Sequence, residues 1–180
     1  MRELTLLRHA KSSWSDRTKA DIDRPLTSRG RLAALAIGTY MARHKIFPDI
    51  ILCSPARRTR ETLAQIEPAL PDGIERRFDP TIYSAGTGDG LIACLKGTAI
   101  DEAHVMIIGH NPAMQQLALS LTTATSGVRK QIERKYPTAA LTHIAFDIDD
   151  WRTLEGQGRI LHYTTPKMLI RTDNENIKRT

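Results

Sequence analysis

Short apolar runs alternate along this chain with longer stretches of helix-like period. Glu3-Leu4-Thr5-Leu6-Leu7 is the first run and reads as a brief buried strand beginning almost at the first residue. A polar stretch from Lys11 to Leu26 follows and closes on Arg24-Pro25-Leu26. Thr27 is placed to cap a helix running to about Lys45. The apolar set of that helix (Leu32, Ala33, Leu35, Ala36, Ile37, Tyr40, Met41) makes a broad stripe. Pro48-Asp49 punctuates before a second buried strand, Ile50-Ile51-Leu52-Cys53. Ser54 and Pro55 suit the cap and first position of a helix that reaches about Ala69 and is closed by Pro71-Asp72-Gly73.

From Ile74 to Ala85 the pattern supports no single element. Gly86, Gly88 and Gly90 precede a short helix ending near Lys96-Gly97. His104-Val105-Met106-Ile107-Ile108-Gly109 is the third strong strand, and Asn111-Pro112 starts a helix, capped by Asn111, through about Leu121. Ala140 to Phe146 and Gly158 to Thr164 read as two late strands, a hairpin around Asp149-Asp150. The alternation predicts one α/β domain over residues 1–170: three layers, with a mainly parallel central sheet flanked by helices. The polar tail, 171–180, is expected to fray.

Composition narrows the function. The chain of 180 residues is long enough for one sizeable core. No stretch approaches the roughly 18 apolar residues a membrane helix needs, so no membrane partner is expected. No secretory apolar region follows Met1-Arg2-Glu3, which makes the cytoplasm the expected location. Cys53 and Cys94 lack a surrounding Cys/His cluster, which argues against a disulfide framework or a zinc site. The net charge of +6 favours acidic or phosphate-bearing partners. Dispersed basic residues and few aromatics argue against nucleic acid.

The candidate chemistry sits at three strand ends. Arg8 and His9 end the first run side by side; an imidazole can attack phosphorus, and a guanidinium can hold two phosphate oxygens in a fork. Arg58 lies about one turn into the helix after the second strand, and His110 is in the turn after the third. Ligands in open α/β sheets bind beyond the carboxyl ends of strands, so parallel neighbours would bring Arg8, His9, Arg58 and His110 into one crevice. Helix N-termini there would add N–H groups that favour phosphate. Two arginines and a protonated His110 would balance a phosphoryl dianion while His9 stays neutral and nucleophilic.

These segments resemble the histidine phosphatase superfamily, the phosphoglycerate mutase-like fold, and most closely its SixA-type phosphohistidine phosphatases. The resemblance spans Leu4 to about Lys167. It rests on Leu7-Arg8-His9-Ala10-Lys11-Ser12-Ser13-Trp14, Asp23-Arg24-Pro25-Leu26-Thr27-Ser28-Arg29-Gly30, Ser54-Pro55-Ala56-Arg57-Arg58-Thr59-Arg60-Glu61-Thr62 and Gly109-His110-Asn111-Pro112, in that order. It implies that His9 is the nucleophile, forming a phosphohistidine that water then hydrolyses. It also implies that Arg8, Arg58 and His110 bind the phosphoryl group. The family's arginine falls four residues after the serine, which selects Arg58 over Arg57. Two departures stand out. Ala10 replaces the family's glycine after the histidine, and Pro80 occupies the position of the mutase-type acid before Tyr83.

Ser12 and Ser15, in the loop after the nucleophile, are candidate hydrogen-bond donors to phosphate, with an ordinary surface loop as the alternative. Trp14 is expected at the crevice rim. His44, His104, His143 and His162 read as structural, and no carboxylate–histidine grouping has metal-ligand spacing, so neither a metal nor another cofactor is expected. Three functions fit. The first is a metal-independent phosphatase acting on phosphohistidine of a partner protein, a histidine-containing phosphotransfer or phosphocarrier domain. The second is a small-molecule phosphomonoesterase or mutase on the same fold. The third is a non-catalytic phosphoprotein-binding module.

Overall fold

The residues from Leu4 to Leu7, Ile50 to Cys53 and Val105 to Ile108 are buried without alternation, because both faces of their strands are covered. The computed structural model describes residues 1–97, 101–122, 127–156 and 158–170. The strands are β1 (Arg2–Arg8), β2 (Ile50–Cys53), β3 (Glu75–Phe78), β4 (His104–Gly109), β5 (Leu141–Phe146) and β6 (Arg159–Thr164). They form one sheet in the order β3-β2-β4-β1-β5-β6. The first four of that order are mutually parallel, β5 runs antiparallel to β1, and β6 antiparallel to β5. The expected mainly parallel sheet is therefore present, with an antiparallel flank. Arg8 stands opposite Gly109, and Cys53 opposite Ile108, so β1, β4 and β2 end side by side.

Helices cover both faces. α1 (Ser28–Arg43) and α2 (Arg57–Ile66) pack Ala34, Ile37, Met41, Leu63 and Ile66 against Leu7, Ile51, Met106 and Ile108. The other face carries α3 (Pro80–Ser84), α4 (Gly88–Gly97), α5 (Ala113–Ser120) and α6 (Gly127–Arg134). Thr27 caps α1 as expected, its hydroxyl accepting from the Gly30 N–H at 2.9 Å. The stripe on α1 is partly the expected one: Ile37 and Met41 are buried and Ala33 and Tyr40 pack against the core, but Gly30, Ala34 and Gly38 are buried too, while Leu32 and Leu35 are 68% and 46% exposed. Close packing is the reason. A Cβ on Gly38 would stand 3.0 Å from the Ile66 Cα, so α1 meets α2 through its small residues.

Both expected side-chain caps are corrected. α2 starts at Arg57 with Ala56 in the cap position, and α5 starts at Ala113 with Pro112 there. Ser54 and Asn111 instead use their side chains across the crevice, as described below. The undecided stretch from Ile74 resolves into the edge strand β3 and then α3. β3 is largely exposed, which leaves no buried alternation to read. Asp79 caps α3, accepting from the Thr81 N–H at 2.8 Å and the Thr81 hydroxyl at 2.6 Å. α6 is a helix beyond those the sequence pattern predicts. β5 and β6 do pair antiparallel, but a long connection with a 3-10 turn at Trp151–Thr153 replaces a tight hairpin. The tail expected over 171–180 lies outside the described residues. Among the described residues, no helix is long and apolar enough to cross a membrane.

Candidate active site

His9 leaves the end of β1 with its backbone N–H donating to the Gly109 carbonyl at 3.0 Å, which fixes the turn against β4. Its ring is pinned through Nδ1, 2.7 Å from the Ala10 carbonyl oxygen. A carbonyl only accepts, so Nδ1 carries the proton and Nε2 keeps its lone pair. Ala10 is wholly buried, and its N–H donates to the Thr62 hydroxyl at 3.0 Å. That hydroxyl donates in turn to the Arg58 carbonyl at 2.6 Å. The turn carrying the nucleophile candidate is thereby tied to α2.

The four expected residues come together. The His9 and His110 rings lie 5.2 Å apart between centres, tilted by 52°. Burial pushes the His9 imidazole down to about 3 against the opposing Ala10 carbonyl, and His110, Arg58 and Arg8 push the same way. His9 is therefore neutral at neutral pH. Burial also lowers His110 to about 4, helped by Arg58 and opposed by Asp21. This corrects the expectation of a protonated His110, since burial beside arginine cations disfavours the charged ring. A phosphoryl dianion alongside would raise it again. His110 Nε2 shares a 2.8 Å hydrogen bond with the Ser54 hydroxyl, which also accepts from the Ala56 N–H at 3.4 Å.

Arg8 donates through Nη1 to the Tyr136 carbonyl at 2.6 Å, and Asn111 Nδ2 donates to the same carbonyl at 3.1 Å. The segment after α6 is thus what aims Arg8. Burial draws the Arg8 guanidinium below its ordinary value, though an arginine keeps its charge. Arg58 is held by Asp21, donating from Nη1 to its carbonyl at 2.6 Å and from Nη2 to its carboxylate at 2.9 Å. Burial acts to raise the Asp21 carboxyl, but hydrogen bonds from Arg24, Tyr83 and Arg58 outweigh it and hold the group at about 2. Tyr83 donates its hydroxyl to Asp21 at 2.9 Å and sets its ring edge-on to His110 at 5.5 Å. Arg8 Nε and His110 Nδ1 are buried without a hydrogen-bond partner among the described residues.

The two candidate serines are placed differently. The Ser12 hydroxyl is buried and accepts from Arg24 Nη2 at 2.7 Å, while exposed Ser15 shares a 2.7 Å hydrogen bond with Ser13. Both are engaged within the loop. Trp14 is 67% exposed with the Arg24 guanidinium 3.2 Å from its ring centre. Sequence reasoning missed Asp21, Thr62 and the Tyr136 carbonyl. Asp21 was open to discovery as an acid three residues before Arg24; a backbone carbonyl leaves no sequence signal. Outside this crevice, Glu3, His104 and His143 bring their ligand atoms within 4.8 Å of one another. Burial holds those two imidazoles at about 4 and about 3, hence neutral.

The chain and its fold have known counterparts. The family description for the histidine phosphatase superfamily (branch 1) matches residues 4–82. A Mycobacterium tuberculosis protein, Rv1276c, is 31% identical over 140 residues, covering 75% of this chain and 84% of its own length. A chloroplastic protein of Arabidopsis thaliana is 35% identical over 132 residues, 69% of this chain; the chain spans only 61% of that relative. Neither relative carries an assigned activity. Among solved structures, a SixA candidate phosphohistidine phosphatase from Agrobacterium tumefaciens superposes with a TM-score of 0.77 at 25% identity, over 92% of this chain and 98% of that one. The protein histidine phosphatase SixA complexed with tungstate shares the fold at a TM-score of 0.74 and 21% identity, over 93% and 99% of the two chains. The chain belongs to the histidine phosphatase superfamily.

Proposed function

We propose that this protein is a metal-independent phosphatase that removes phosphate from phosphohistidine on a partner protein through a covalent intermediate on His9. One observation carries the reading: the Ala10 carbonyl holds the Nδ1 proton of a neutral, buried His9, which leaves Nε2 as the attacking lone pair. In the first step, the Nε2–P bond forms as the bond from phosphorus to the leaving nitrogen breaks. In the second, water attacks phosphorus, the Nε2–P bond breaks, and inorganic phosphate leaves. Arg8, Arg58 and His110 act electrostatically on His9 and supply the positive charge and donors for the phosphoryl oxygens.

The leaving group favours phosphohistidine over alkyl esters. An alkoxide needs a proton in the transition state. Pro80 stands where the mutase-type acid would be, and the neighbouring Asp79 carboxylate is occupied in capping α3. An imidazole leaves without such help once it is protonated. The net charge of +6 favours an acidic carrier surface.

The test compares kcat/KM for a phosphohistidine carrier domain with that for sugar phosphates and phosphoglycerate, in chelator, using one preparation. The carrier domain is expected to lead by tenfold or more; a sugar phosphate leading by that margin replaces this reading with the small-molecule phosphatase. His9→Ala should abolish turnover while the circular dichroism spectrum is kept. If it does, and acid-labile phosphate can be trapped on wild-type protein but not on the variant, the non-catalytic reading is excluded.

A further inference from the structure

The end of the sheet remote from His9 holds a second cluster of chemistry that catalysis does not use. Glu3 on β1, His104 on β4 and His143 on β5 belong to three adjacent strands. His143 Nε2 lies 3.4 Å from Glu3 Oε2, and His104 Nδ1 lies 3.7 Å from the same oxygen. Ligands about 2.0–2.1 Å from a tetrahedral zinc stand about 3.3 Å from each other, so these edges are close to those of a zinc site. We propose that Glu3, His104 and His143 form a binding site for a divalent ion of the zinc class, clipping β1, β4 and β5 together.

The hydrogen-bond network around the cluster supports the assignment. His104 Nε2 and His143 Nδ1 both meet the Thr5 hydroxyl, at 2.7 Å and 2.9 Å. That hydroxyl has one proton and can donate to only one ring. The other ring must donate to it, and so turns a bare lone pair toward the Glu3 carboxylate. A lone pair facing a carboxylate oxygen is repulsive until a proton or a metal ion sits between them, and the contact distances suit either. With a metal bound, both rings donate to Thr5 and both remaining nitrogens face the ion, the outer hydrogen bonding that orients ligating histidines. Each ring carries one proton before and after, so binding moves one ring's proton to the nitrogen facing Thr5 and releases none.

The donor set selects the metal class. Two imidazoles and one carboxylate suit zinc and its neighbours, whereas magnesium and calcium prefer oxygen throughout. The Glu3 side chain is 34% exposed, so water can reach the remaining position. Glu3 and His9 stand at opposite ends of β1, roughly 20 Å apart at about 3.3 Å per strand residue. The ion's role is therefore to hold the sheet, not to act on phosphate.

The experiment uses the full chain after chelator treatment. Calorimetric titration with Zn²⁺ should give one equivalent bound in wild type and equally in His9→Ala. Co²⁺ should give the strong visible bands of a tetrahedral site, and Zn²⁺ should raise Tm. Glu3→Gln and His143→Gln should each weaken binding tenfold or more. If His143→Gln fails to fold, the half-exposed Glu3→Gln decides alone. The proposal is overturned if no ion binds, if Glu3→Gln binds Zn²⁺ within a few-fold of wild type, or if His9→Ala loses binding, which would put the ion in the catalytic crevice.

Discussion

Asp21 holds Arg58 from two sides, accepting one guanidinium nitrogen at its backbone carbonyl and the other at its carboxylate. The loop after β1 and the first turn of α2 are thereby joined directly over the crevice, and the carboxylate also collects Arg24 and Tyr83. The sign of its contribution is not obvious, because a carboxylate beside a phosphate site repels the substrate. Orientation should prevail. Misplacing a transition-state cation by about 1 Å costs about 100-fold. Asp21→Asn is expected to lower kcat/KM by about 10- to 100-fold, mostly in kcat, with the fold intact. Steady-state kinetics alongside circular dichroism check this; a variant as fast as wild type would mean that Arg58 is aimed by something else.

Arg57 and Arg58 are adjacent and chemically identical, yet they should behave very differently. The Arg57 side chain is half exposed and pairs with Glu61 at 2.6 Å along the helix surface. Arg58 is 6% exposed and faces the two histidines. Arg58→Ala should cost several orders of magnitude in turnover. Arg57→Ala should stay within a few-fold, because an exposed pair of this kind contributes less than about 1 kcal/mol. Measuring both variants on one substrate checks the register of the second motif.

Three buried imidazoles and a half-buried one make stability fall with acid. His9 and His143 are lowered to about 3, His104 and His110 to about 4, each mainly by burial. The unfolded chain takes up protons on these groups near the ordinary value of about 6.5. Stability from keeping them neutral is fully present above that value and is lost as the pH falls from it toward the folded values. Tm should drop steeply between pH 6.5 and about 4. In the native state the His9 ring resonances should not titrate between pH 8 and 5; titration near the ordinary value would contradict a buried, neutral nucleophile.

Gly30 makes a sharp stability test. A Cβ there would overlap the Lys11 carbonyl oxygen, the same group that accepts from the Thr27 N–H at 2.9 Å. The obstacle is backbone, which cannot swing aside as a side chain can. Gly30→Ala should destabilise by about 1–3 kcal/mol despite alanine's better helix propensity. Chemical denaturation measures it, and an unchanged midpoint would show that the loop yields freely.

Much of this protein follows from local pattern. The unbroken apolar runs specify buried strands, since residues covered on both faces need no alternation, and Arg8, His9 and His110 stand directly after two of them. Thr27 is legible as a cap because capping is a contact between near neighbours in the chain. Within the stripe on α1, Leu32 and Leu35 face outward because burial there depends on how closely α2 approaches, and that favours Gly38 over Leu35. Ser54 and Asn111 fit the pattern of caps, but besides their local bonds each side chain reaches a partner from another element, His110 and the Tyr136 carbonyl. Asp21 on Arg58, and Glu3 with His104 and His143, are likewise meetings between distant segments. Chain spacing determines which residues share a strand or a helical turn. Which of them share a proton, a charge or an ion depends on distances that exist only once the strands lie side by side.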